Sequence, residues 1–123
     1  MNLTAEELRN KIDNKESFVV DLYADWCGPC KMMSPVIENI IKKTIDNGEE
    51  NKLFKFNIEE DKQIAMELGV RSIPNVKVFK EGKIIDQKIG LLSEVQLNEL
   101  ISMVKVFIGS DDFFVKDELL EKV

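Results

Sequence analysis

The hydrophobic positions of this chain change their period several times, and each change marks an element. Thr4-x-x-Glu7 is a capping box, and Ala5, Leu8 and Ile12 follow at helical spacing, which predicts an amphipathic helix over about 4–15. From Ser17 to Ala24 the chain is almost continuously apolar, as suits a strand buried on both faces; Asp21 is its one charged member. A second helical stripe runs through Met33, Val36, Ile37, Ile40, Ile41 and Ile45, with Asn47-Gly48 as its stop. Pro35 falls inside it, removes a backbone donor and leads us to expect a kink. Leu53 to Ile58 reads as the next strand, and about Asp61 to Leu68 as a short helix ending at Gly69. Val76–Phe79 and Ile84–Ile89 flank Glu81-Gly82 and predict a β-hairpin. Ser93-x-x-Gln96 is a second capping box, opening a helix whose stripe is Leu97, Leu100, Ile101 and Val104. The order is α-β-α-β-α-β-β-α. Its βαβ part implies parallel strands joined by a right-handed crossover, and the hairpin is expected to add antiparallel edge strands.

Composition narrows this to one α/β domain. A chain of 123 residues buries a real core, and its 44 % hydrophobic and 33 % charged content is a soluble balance. The net charge of −6 disfavours broad nucleic-acid binding, which needs a basic footprint. Residues 1–7 show neither a basic n-region nor an apolar h-region, and no segment is long enough to span a bilayer, so a cytoplasmic location with no membrane contact is expected.

The chemistry concentrates in Trp26-Cys27-Gly28-Pro29-Cys30, which follows the first strand and holds both cysteines of the protein. Three positions apart, the two sulfurs share the first turn of a helix and can close and reopen a disulfide. A structural zinc site needs four ligands, and a chain with two Cys and no His does not complete one without carboxylates. A c-type haem site needs His after the second Cys, where Lys31 stands. A merely structural bridge suits secreted domains and stabilises little across so short a loop. A redox couple remains. Cys27, at the helix start, meets unpaired N–H groups and the positive end of the dipole, which favour its thiolate. Cys30, one turn inside, is expected to keep its proton longer. Cys27 therefore attacks a substrate disulfide and Cys30 resolves the mixed disulfide. Gly28 permits close backbone approach, and Pro29 suits an early helical position. Asp21, if buried, has a raised pKa and a role in taking the proton of Cys30; otherwise it is a strand-end carboxylate facing solvent. Lys55, mid-strand between Phe54 and Phe56, either pairs with Asp21 or snorkels at an edge. Ile73-Pro74 precedes the hairpin, where the peptide bond is trans by base rate and cis in a minority of cases.

Trp26-Cys-Gly-Pro-Cys30, Asp21 six residues before Cys27, Pro35, Ile73-Pro74, Gly82 and Gly90 together resemble the thioredoxin family, at matching spacing from about Phe18 to Val104. The resemblance implies a thioredoxin fold: a central mixed sheet of four to five strands flanked by helices. It implies a cis Ile73-Pro74 bond against the Cys pair, Asp21 as a buried carboxylate with Lys55 as partner, and Trp26, Ile73, Pro74 and Gly90 lining a substrate groove. It also implies a monomeric protein-disulfide reductase with no cofactor beyond its disulfide and no metal. Electrons would come from a flavin-containing, NADPH-dependent thioredoxin reductase. Oxidised client proteins would include ribonucleotide reductase, peroxiredoxins and methionine sulfoxide reductases. Rival readings are an oxidase or isomerase of the same fold, and a non-enzymatic subunit of a larger assembly. The chain departs from the pattern in three places. Its first edge strand is reduced to Met1-Asn2-Leu3 or absent, Asn75 stands where Thr is commoner, and residues 107–123 extend beyond a domain spanning 1–106. That extension, with Phe113, Phe114, Val115 and Leu119, is expected to form a short extra C-terminal helix docked on the domain; the alternative is a partner-binding element.

Overall fold

The computed structural model describes residues 1–105; the C-terminal extension expected at 107–123 lies outside them. The elements are α1 (Ala5–Asp13), β1 (Phe18–Tyr23), α2 (Gly28–Asp46), β2 (Leu53–Asn57), α3 (Lys62–Glu67), β3 (Asn75–Lys80), β4 (Lys83–Ile89) and α4 (Glu94–Ser102). Both capping boxes form, with Thr4 closing α1 and Ser93 closing α4. Asp61 caps α3 by accepting the Gln63 and Ile64 amides. Pro35 sits within α2, which runs without a break from Gly28 to Asp46.

Among the described residues the sheet has four strands, in the order β2-β1-β3-β4. β1 and β2 run parallel, and β1/β3 and β3/β4 antiparallel. The expectation that both hairpin strands lie at an edge is therefore half right. β3 pairs on both sides and is internal, while β4 alone forms that edge. At the other edge, the expected remnant of a first strand is a parallel bridge between Asn2 and Lys55. The Leu3 amide donates to the Lys55 carbonyl at 2.8 Å, and the Lys55 amide to the Met1 carbonyl at 2.9 Å.

Period-two alternation divides the strands between two cores. Val19, Val76 and Val78 face α2 and α4, meeting Met33, Ile37, Leu97 and Leu100. Phe18, Val20, Leu22, Phe56 and Phe79 face α1 and α3, meeting Leu8 and Ile64. Phe18 stacks on Phe79 with centroids 4.8 Å apart. The sheet is thus covered on both faces, which is why the β1 run is apolar at successive positions. Lys77 is the polar exception on β3. It is buried, donates to Gln87 Oε1 at 2.6 Å, and has its pKa pushed down by that burial. The hairpin turns at Glu81 and Gly82, both at positive φ (52° and 78°). No helix among the described residues is long and apolar enough to cross a membrane.

Candidate active site

The β1–α2 connection places the cysteines. β1 ends at Tyr23, and Cys27 is the N-cap of α2 with extended backbone (φ −89°, ψ 115°). Its Sγ accepts the Cys30 amide at 3.2 Å, the bond a capping oxygen makes elsewhere. Pro29 occupies the first turn, where its missing N–H leaves no gap. Cys27 and Cys30 are joined by a disulfide, with Cα atoms 5.3 Å apart. Both residues are buried, so it is the cap geometry and not exposure that distinguishes them.

Three backbone segments meet at the pair. The Ile73-Pro74 peptide is cis, and the Ile73 carbonyl oxygen lies 3.9 Å from Cys27 Sγ. Gly90, at φ 101°, donates its amide to the Pro74 carbonyl at 2.9 Å, tying the end of β4 to the proline. Asn75 is buried, and its side-chain amide contacts Gln87 Oε1 and the Lys88 carbonyl, both at 3.3 Å. Trp26 stands beside the pair, 66 % exposed, its indole N–H held by Glu59 Oε2 at 2.8 Å. Ile89 and Leu91 are exposed next to Gly90. The rim of the disulfide is therefore apolar and open.

Asp21 lies on the same face of β1 as Val19, the face that α2 covers. It is 1 % exposed, and among the described residues neither carboxylate oxygen has a hydrogen-bond partner. Burial raises its pKa to about 7, against a smaller downward pull from Lys55. The solvent-facing alternative for Asp21 is thus excluded. Lys55 is Asp21's register partner across β1/β2 and is itself buried, so it is no snorkelling edge residue. The expected Asp21–Lys55 ion pair is nevertheless not made. Lys55 Nζ donates to Ser34 Oγ at 2.6 Å and to Glu38 Oε2 at 3.2 Å, both on α2. Ser34, Glu38 and Glu59 are the residues that sequence reasoning missed. Cys30, Ser34 and Glu38 recur at i, i+4, i+8, which puts them on one helix face, and that spacing was the available signal for two of the three.

No cluster of three or more His, Cys, Asp or Glu suited to a metal ion occurs among the described residues. A disulfide capping a helix beside a cis-proline loop, with a buried carboxylate on the preceding strand, defines a thiol-disulfide oxidoreductase whose redox group is the Cys27–Cys30 pair itself. The thioredoxin family model matches residues 1–103. Thioredoxin from Rickettsia typhi is 39 % identical over 102 residues, covering 82 % of this chain and 94 % of its own. Thioredoxin from Mycoplasmoides gallisepticum is 35 % identical, covering 77 % and 91 %. Among solved structures, mitochondrial thioredoxin 3 of Saccharomyces cerevisiae, in its oxidised form, superposes with a TM-score of 0.67 at 34 % identity, covering 84 % and 93 %. A yeast structure concerned with thiol resolution in a mitochondrial 1-Cys peroxiredoxin via glutathione/thioredoxin systems matches at 0.67 and 33 %, covering 84 % and 93 %. The chain belongs to the thioredoxin family, and its activity is that of a protein-disulfide reductase.

Proposed function

We propose that Cys27 is the attacking sulfur and Cys30 the resolving one, in a cytoplasmic electron carrier that reduces client disulfides. The observation that carries the assignment is the cap: Cys27 Sγ alone receives a backbone N–H at the start of α2, a position that favours negative charge. The Cys27 thiolate forms a bond to one sulfur of the client disulfide, whose S–S bond breaks and releases one client thiolate. The Cys30 thiol gives its proton to Asp21 and attacks Cys27 Sγ. The mixed disulfide breaks, the second client thiolate leaves, and the protein is oxidised by two electrons while the client is reduced by two. A buried carboxylate with a pKa near 7 is matched to accept that proton at neutral pH.

The client chain lies in the shallow surface formed by Trp26, Gly28, Pro29, Ile73, Pro74 and Gly90. Two electrons return from an NADPH-dependent thioredoxin reductase, and a reducing compartment suits a carrier whose resting form is the dithiol. The relation to a structure concerned with peroxiredoxin thiol resolution supports peroxiredoxins as one client class. The test is limiting iodoacetamide on the reduced protein at neutral pH, with the adduct mapped, beside insulin reduction by the parent and Cys27→Ser. Labelling at Cys27 and loss of reduction in the variant are expected; predominant labelling of Cys30 reverses the assignment.

A further inference from the structure

A lysine on a flexible stem beside a bare buried carboxylate is drawn to it by Coulomb attraction. Here the two are register partners on neighbouring strands, yet the lysine is bonded elsewhere. Its short bond is to Ser34 Oγ, half-buried on α2 one turn beyond Cys30. Its second is to Glu38, whose side chain is largely solvated. The ammonium also lies 4.9 Å from the Tyr23 ring centroid, a favourable face for a cation. Ser34 and Glu38 therefore hold it on the helix side, with the Tyr23 ring of β1 against it.

We propose that Ser34 is a positioning residue for disulfide exchange: with Glu38 it holds the Lys55 ammonium away from Asp21, so that the carboxylate stays unpaired and available to the Cys30 proton. This rests on the reading of Asp21 as acceptor of that proton. A cavity of about 150 Å³ bounded by Tyr23, Cys30, Ser34 and Lys55 lies in the same place, roomy enough for water between the helix and β2. The charged and titratable groups on this face, lining the cavity or next to it, are few. β1 supplies Asp21 and Tyr23; β2 supplies Lys55; α2 supplies Glu38, Lys31 and, when reduced, Cys30. Asp25 borders the cavity from the β1–α2 loop, and the Met1 amine is within electrostatic reach of both Glu38 and Lys55. β3 and α4 present apolar side chains to this face, among them Val76, Leu97 and Leu100. Lys55 is accordingly the cation whose position governs Asp21, and its pull is felt without a bond.

The Asp21 carboxyl titration, followed by carbon NMR, tests this without turnover. In Ser34→Ala the freed ammonium moves onto Asp21, and the midpoint is expected to fall by about one pH unit. Ser34→Thr keeps the hydroxyl and is expected to titrate like the parent. In a Lys55→Met background, Ser34→Ala is expected to change nothing. A midpoint that stays or rises in Ser34→Ala overturns the proposal, as does a fall that persists in the Lys55→Met background. Whether Asp21 takes the Cys30 proton is read separately, from the pH dependence of mixed-disulfide resolution in Asp21→Asn, so failure of the one is distinguishable from failure of the other.

Discussion

At the scale of single residues, Asp21 sets a pH dependence whose sign follows from its surroundings. Its pKa is about 7 in the fold against 3.8 ordinarily. Between those values the native protein holds a proton that the unfolded chain has lost. Stability therefore falls as pH rises through this window, is undiminished below about 4 and levels off above about 7. Asp21→Asn is expected to match the parent near pH 4. At pH 8 it should exceed the parent by on the order of 4 kcal/mol, since each pH unit of displacement corresponds to about 1.4 kcal/mol. Urea unfolding of the oxidised proteins at several pH values checks this, and a difference independent of pH would sink it. The same variant should resolve mixed disulfides more slowly than it forms them; equal slowing of both steps in stopped-flow kinetics would count against the base. Asp21 was readable in the sequence because a charge stands out in an apolar run. Ser34 and Glu38 were not, because polar residues on a helix outside its apolar stripe look like ordinary solvated positions, and only the strand behind them gives them a task.

At the scale of elements, the β3–β4 turn is tied to α1. Gly82 sits at φ +78°, its amide donates to the Glu16 carbonyl, and a Cβ there would meet the Ile12 carbonyl oxygen at 2.7 Å and Lys15 Cα at 3.1 Å. Gly48, past the end of α2, has a similar φ of +74° with open space around it. Gly48→Ala is expected to cost about 1 kcal/mol for the left-handed backbone alone. Gly82→Ala adds a backbone clash and should cost at least about 1 kcal/mol more. Equal losses in thermal unfolding would show that the contact relaxes freely. The hairpin was legible from Glu81-Gly82, whereas the internal place of β3 was not. Strand order depends on which edge of β1 is open, and hydrophobic alternation carries no information on that. Lys77 and Asn75 further disguised β3, since both are buried polar residues whose partner Gln87 lies across the turn.

At the scale of the whole molecule, the described residues 1–105 contain the disulfide, the cis-proline loop and the carboxylate, so the chemistry has its parts without the extension. Truncation after Ile108 is expected to leave insulin reduction largely intact. If the extension docks on the domain, the melting temperature falls as well; lost client capture at unchanged stability would favour a partner-binding element instead. The fold was largely visible in advance because its cores demand two different periods, and capping boxes mark where one gives way to the other. One consequence of the capping sulfur reaches beyond this chain. Cys27 closes a helix of 19 residues, so the atom that reacts is also an atom that holds the architecture together. Lineages that abandon the chemistry cannot drift freely at this position. Ser, Thr, Asp or Asn preserves the closure, whereas Ala or Val forfeits about 1 kcal/mol. Among descendants of this architecture that have lost their first cysteine, the replacements should be capping residues more often than chance allows, and a survey finding Ala and Val as common as Ser would refute it. The trace of a vanished reaction would then survive as a rule of helix termination.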